Sequence, residues 1–222
     1  MSTTNKDQSL YQQTNLSRLQ ELGDHAPDSF VAFNQFNRHA LAKGELSVKF
    51  KELIAVAVAH VTGCAYCIDI HVKEVKKAGA SREEVSEAIF VATALKAGSA
   101  FAHGVNALNA FDDQGGEELY KASYFNRIKE FSTLQGKSFS SFIDFDQQAL
   151  KAGELSVIEK ELIAIAVAHV TGCPYCIDLH VKAAKKAGVS LDEISEAIFV
   201  AVALQAGSAF AHSVNALQAY DE

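Results

Sequence analysis

The sequence predicts an all-α protein built as a tandem duplication. Three observations carry that prediction: a repeat that spans most of the chain, helix start and stop signals at matched places in both copies, and apolar spacing of helical period with no sustained strand alternation. Pro27 and Pro174 are the only prolines, and Ala, Leu, Lys and Glu are abundant, which also favours helices over sheet.

Ala40 to Phe111 aligns without a gap with Ala149 to Tyr220 at an offset of 109 residues, and about three quarters of the aligned positions are identical. The match continues more weakly upstream, where Arg18 aligns with Arg127, Glu21 with Glu130 and Phe30 with Phe139. Gln114-Gly115-Gly116 reads as a hinge. Residues 1–113 are therefore expected to form the first repeat with an N-terminal helical arm, 114–116 the linker and 117–222 the second repeat, each about one small domain.

Within a repeat the elements follow in order. Phe30, Phe33, Phe36 and Ala40 recur at helical spacing and predict an early helix. Ser156 and Glu159 form a capping-box pattern ahead of the apolar run Leu162 to Val170. The next helix carries the cysteines and is expected to stop at Gly79 and Gly188, each after Lys-Lys-Ala. Ser81 with Glu84, and Ser190 with Glu193, open the last helix of each repeat. That helix is rich in small residues from Ala92 to Ala110, so it is expected to bury itself against the other repeat or a partner subunit, with a homo-oligomer as the natural outcome.

Hydrophobic residues make up 49% of the chain and charged ones 21%, enough apolar matter for a real core. A net charge of −7 argues against nucleic-acid binding, which needs clustered Lys and Arg. The Met1 to Asp24 stretch is polar, and His, Lys and Glu are expected to interrupt the later apolar segments before they reach membrane-spanning length. The expectation is a soluble, cytoplasmic protein with no membrane association. In a reducing compartment four cysteines are read as catalytic or metal-binding rather than as staples.

All four cysteines fall in two matched segments, Gly63-Cys64-Ala65-Tyr66-Cys67-Ile68-Asp69-Ile70-His71 and Gly172-Cys173-Pro174-Tyr175-Cys176-Ile177-Asp178-Leu179-His180. Proline is tolerated in a first helical turn and disruptive farther in, so Cys173 is expected at or near the N-cap. Cys64, Cys67 and His71 then share one helix face, as do Cys173, Cys176 and His180. Positive partial charge at the helix start, together with an imidazole, stabilises a thiolate, and the second thiol can close a disulfide. Glu52 and Glu161 lie twelve residues before the first cysteine of each pair, where a carboxylate facing the imidazole could serve a proton relay. The plainer alternatives are buried structural thiols, a zinc site completed by His71 and His60, and glutamates that are ordinary solvated helix residues. His60, His169, His103 and His212 read as hydrogen-bonded core residues.

The pattern of Glu, eleven residues, Cys-x-x-Cys, three residues and His resembles the alkylhydroperoxidase D-like branch of the carboxymuconolactone decarboxylase family, over Ala40 to Phe111 and Ala149 to Tyr220. The resemblance implies an all-α bundle that reduces a hydroperoxide substrate through its thiols, with no cofactor and no metal. It also implies an external thiol or dithiol reductant, a peroxiredoxin-type protein among the candidates, and a homo-oligomer with a trimer favoured. Carried over, Cys67 and Cys176 attack the peroxide, Cys64 and Cys173 resolve, and Glu52, His71, Glu161 and His180 relay protons. Tyr66 and Tyr175 depart from the pattern, standing where well-known peroxidase members have His, and are read as pocket-wall residues. Helix electrostatics alone would make the first cysteine of each pair the more acidic. Lactone decarboxylation, as in the family's other branch, and a redox-responsive binding protein without enzymatic activity are the competing functions.

Overall fold

A computed structural model describes residues 11–114 and 116–221. The hinge residue Gly115 and the first ten residues of the polar N-terminal stretch lie outside the described residues. The first repeat contains α1 (Leu19–His25), α2 (Pro27–Leu41), α3 (Val48–Thr62), α4 (Ala65–Lys77) and α5 (Arg82–Phe111). The second contains α6 (Glu130–Leu134), α7 (Gly136–Leu150), α8 (Val157–Thr171), α9 (Pro174–Lys186) and α10 (Leu191–Tyr220). Short 3₁₀ segments, Gln13–Arg18 and Ala122–Lys129, precede α1 and α6, and no strand occurs among the described residues. The fold is the all-α tandem duplication that the sequence predicts.

The capping chemistry is where the sequence puts it. The hydroxyls of Ser81, Ser156 and Ser190 accept from the backbone N–H three residues on, and Glu84, Glu159 and Glu193 return bonds to the cap backbone. Gly63 and Gly172 end α3 and α8 with φ of +70° and +67°, a conformation that L side chains rarely adopt. That turn delivers Cys64 and Cys173 directly to the start of the next helix.

The two repeats do not close as two separate cores. The middle turns of α3 and α8 are apolar on all sides, with Leu53 to Ala59 and Ile163 to Ala168 fully buried, so each must be surrounded on every face there. They pack against each other, and the long helices complete the enclosure crosswise: α10 lies on α3, α2 and α4, while α5 lies on α8, α7 and α9. Small side chains such as Ala88, Ala92, Ser99 and Ala102 allow α5 its close approach.

Two pseudo-symmetric clamps lock this exchange. Glu196 of α10 accepts from the backbone N–H groups of Glu45 and Leu46 at 2.9 and 3.0 Å and pairs at 3.0 Å with Lys51, which is only 3% exposed. Glu87 of α5 does the same for Glu154, Leu155 and Lys160.

One expectation is corrected. Charged residues do not keep the apolar segments below membrane-spanning length, because α5 and α10 each contain an 18-residue stretch apolar enough, by length and composition, to cross a membrane. In the fold these stretches are 44% buried against other helices of the chain. Their apolar character serves packing of one repeat on the other.

Candidate active site

Cys64 and Cys173 are the N-cap residues of α4 and α9, and their sulfurs accept from the N–H groups of Cys67 and Cys176 at 3.2 and 3.3 Å. Cys64 and Cys67 are joined as a disulfide with their Cα atoms 5.2 Å apart, whereas Cys173 and Cys176 are free thiols with sulfurs 2.6 Å apart. One turn further along each helix, His71 Nδ1 lies 2.7 Å from Glu52 Oε2 and His180 Nδ1 lies 2.8 Å from Glu161 Oε2. Both glutamates are buried, at 6% and 9% exposure, so they are not solvated helix residues. The structure thus pairs the eight residues singled out in the sequence, two cysteines and a His with a Glu in each repeat, and Cys176 and His180 line one cavity. Among the described residues no cluster of His, Cys, Asp and Glu has the arrangement of a metal site.

The free pair is strongly polarised. The Cys176 thiol donates to the Cys173 sulfur, which pulls the Cys173 thiol down to about 6 against the opposing effect of burial. The Cys176 N–H, the Ser99 hydroxyl and the charge of His103 act in the same direction. Cys176 is pushed far above the ordinary thiol range, first by donating that hydrogen bond and then by burial. In this pair the first cysteine is therefore the acidic one, chiefly because the second thiol donates to it and to a lesser extent through the N–H at the helix start. Access runs the other way: Cys173 is fully buried, while Cys176 opens onto a cavity of about 220 Å³.

That cavity is walled by Phe101, Phe139 and Phe142 and floored by Cys176 and His180. Tyr175 also lines it, and its hydroxyl donates to the Lys121 carbonyl at 3.3 Å, which fits the pocket-wall reading. Tyr66, the counterpart in the first repeat, is 3% exposed and packs on Tyr11 with ring centres 5.4 Å apart. His60 and His169 pair with the carbonyls of Val56 and Ile165 at 2.8 Å, as core histidines should.

With this geometry in place, comparison with known proteins becomes informative. The pattern of the carboxymuconolactone decarboxylase family matches residues 27–110 and again 137–219. The chain belongs to the carboxymuconolactone decarboxylase family. It is 42% identical over 101 residues, 46% of this chain and 88% of the relative, to uncharacterized protein 4 in the cox locus of Paracoccus denitrificans. A protein of Haemophilus influenzae is 42% identical over 94 residues, 42% of this chain and 83% of that protein. The alkyl hydroperoxide reductase AhpD of Streptomyces griseus is 41% identical over 46 residues, which is 21% of this chain and 26% of that protein.

In this carboxymuconolactone decarboxylase family chain, the second dithiol borrows groups from the first repeat. Ser99 and His103, on α5 of the first repeat, act on Cys173 of the second. His103 is hydrogen-bonded, as the sequence suggested, though only half-buried: Tyr120 Oη lies 3.2 Å from its Nδ1, and the Tyr120 ring packs on Tyr175 at 5.7 Å. Sequence reasoning missed Ser99 and also Asp146, which lines the cavity beside His180. The available signal for Ser99 was a polar residue, repeated as Ser208, inside an otherwise small and apolar helical run.

Proposed function

We propose that this protein is a thiol-dependent hydroperoxide reductase. The observation that carries the reading is the buried carboxylate and imidazole pair set one helical turn beyond a dithiol that opens onto an apolar cavity. The short similarity to an alkyl hydroperoxide reductase supports it. Cys176, four residues before His180 on the same helix, gives its proton to the imidazole, whose other nitrogen is held by Glu161. As that proton leaves, the Cys176 sulfur attacks the distal peroxide oxygen: a sulfur–oxygen bond forms, the oxygen–oxygen bond breaks, and the departing alkoxide takes the proton from His180 to leave as the alcohol. Cys176 is then a sulfenic acid.

Cys173 attacks the Cys176 sulfur to form the disulfide, and hydroxide leaves as water after gaining a proton. The dithiol loses two electrons and the peroxide gains them. An external dithiol then restores the pair. This sequence reconciles access with acidity, because the buried Cys173 never meets substrate and its acidity in the dithiol suits its departure as a thiolate when the disulfide is reduced. In the first repeat Cys67, Cys64, His71 and Glu52 take the matching roles.

The test is peroxide consumption by the Cys67→Ser plus Cys176→Ser variant in stopped flow. Loss of consumption is expected, and undiminished consumption would remove the assignment. Lactone decarboxylation would use the His and Glu pairs without the thiols, and turnover of a lactone after full alkylation would favour it.

A further inference from the structure

The two dithiols differ at a position that bears on what can reach them. On α7, Asp146 stands where the repeat offset places Asn37 on α2, and Ile143 stands where it places Asn34. Asp146 lines the same cavity as Cys176 and His180, among aromatic walls. The titratable neighbours that act on it are His180 of α9 and Glu161 of α8, and Glu161 is already engaged by the imidazole. Burial pushes the Asp146 carboxyl up, His180 opposes this, and Glu161 adds to it. The charge of Asp146 in turn contributes to holding the Cys176 thiol up.

A carboxylate set in a wall of low dielectric acts on an incoming charge far more strongly than it would in water. At about 220 Å³ the cavity is also smaller than the ~300–1,000 Å³ of pockets for drug-sized ligands, so its occupant is compact. We propose that Asp146 is a specificity-determining residue: it makes the cavity at Cys176 admit compact, uncharged apolar reagents and turn away anionic ones, a filter that Asn37 does not supply at Cys67. For the natural substrate this rests on the hydroperoxide reading, and names it as a neutral organic hydroperoxide. The filter itself is independent of that chemistry.

The experiment exploits this independence. With Cys64→Ser, Cys67→Ser and Cys173→Ser in the full chain, Cys176 is the only thiol left. Its alkylation by neutral iodoacetamide and by anionic iodoacetate is timed at about pH 8, where an ordinary carboxyl is ionised. In both reactions the sulfur–carbon bond forms as iodide leaves, so the ratio of the two rates cancels changes in thiolate content and in folding. The expected ratio exceeds that of an unstructured cysteine peptide by about tenfold, falls toward the peptide value in Asp146→Asn and persists in Asp146→Glu. The mirror arm keeps only Cys67, where Asn37→Asp should raise the ratio several-fold. A ratio unmoved by Asp146→Asn overturns the filter.

The substrate arm compares cumene hydroperoxide with its para-carboxylate in Cys64→Ser plus Cys67→Ser. Failure to turn over either, with the alkylation filter intact, removes the hydroperoxide reading and leaves the filter standing. Preferential turnover of the neutral compound that Asp146→Asn abolishes supports both.

Discussion

Ser99, on the long helix of the first repeat, helps to hold down the pKa of the Cys173 thiol at the helix start of the second, its hydroxyl favouring the thiolate. Ser99 is 4% exposed, so its hydroxyl acts in a medium where hydrogen bonds to charge are strong. A bond to a charged group is worth about 1.5–3 kcal/mol, or about one pH unit or more of thiol acidity. Ser99→Ala should therefore raise the Cys173 pKa by about one pH unit, read from thiolate absorbance at the second site after Cys64→Ser and Cys67→Ser. Ser99→Cys or Ser99→Thr, which keep a donor, should restore part of the shift.

The acidity of the reduced pair has a definite sign. Cys173 is held down to about 6 and Cys176 is pushed up, so one thiolate should form as pH rises through about 6, with no second thiolate in the ordinary thiol range near 8.5. Thiolate absorbance at the second site, followed after Cys64→Ser and Cys67→Ser, should show this single step. Two thiolates appearing together between about pH 8 and 9 would contradict the polarisation.

Glu161 accepts the Nδ1 side of His180, which leaves the far nitrogen to exchange protons with the cavity. Glu161→Gln should keep the side-chain shape but lose the charge that supports an imidazolium. Peroxide consumption at the second site should fall by about 10²-fold or more, the range for general acid–base groups, while alkylation of the dithiol by iodoacetamide changes far less. Equal losses in both measurements would indicate damage to the helix pair rather than to proton transfer.

Gly153 sits against the clamp, and a Cβ there would come 2.0 Å from Glu87 Oε1. Gly153→Ala must displace that carboxylate, which costs two backbone hydrogen bonds and strips the buried Lys160 of its ion pair. Since Glu87 is 26% exposed, water screens part of the loss, and a destabilisation of about 2 kcal/mol is expected. For a chain of this length that lowers Tm by about 4–8 °C. Gly44→Ala should do the same at Glu196, where the Cβ distance is 1.9 Å.

Because α5 and α10 each lie on the other repeat, the whole chain should unfold in one cooperative transition. Cutting the polypeptide between Gly115 and Gly116 should leave two fragments that copurify as a complex. Two fragments that separate and each unfold cooperatively as monomers would show that the crosswise packing is dispensable.

Much of this was legible in the residues themselves. The N-cap position of Cys173 followed from Pro174, the helix starts from the Ser and Glu pairs, and the approach of Glu161 to His180 from two antiparallel helices joined by a glycine turn. Each of these is local, with the cause and the consequence within about twenty residues. Ser99 is different. Nothing within helical reach of it signals a partner 74 residues away, and a serine in a small-residue helix reads as packing. Glu87 and Glu196 likewise look like solvated helix charges until the backbone turns they cap are brought from the other repeat.

The sequence by itself determined the helices, their caps, the duplication and the content of each dithiol segment, because propensity, capping and 3.6-residue periodicity act between neighbours along the chain. Only the tertiary structure decided that the second site is finished by the first repeat, that Cys173 is acidic yet enclosed while Cys176 faces the cavity, and that Asp146 lines that cavity beside His180. Those properties are set by burial and by fields across packed helices, which depend on distance in space and leave no trace in spacing along the chain.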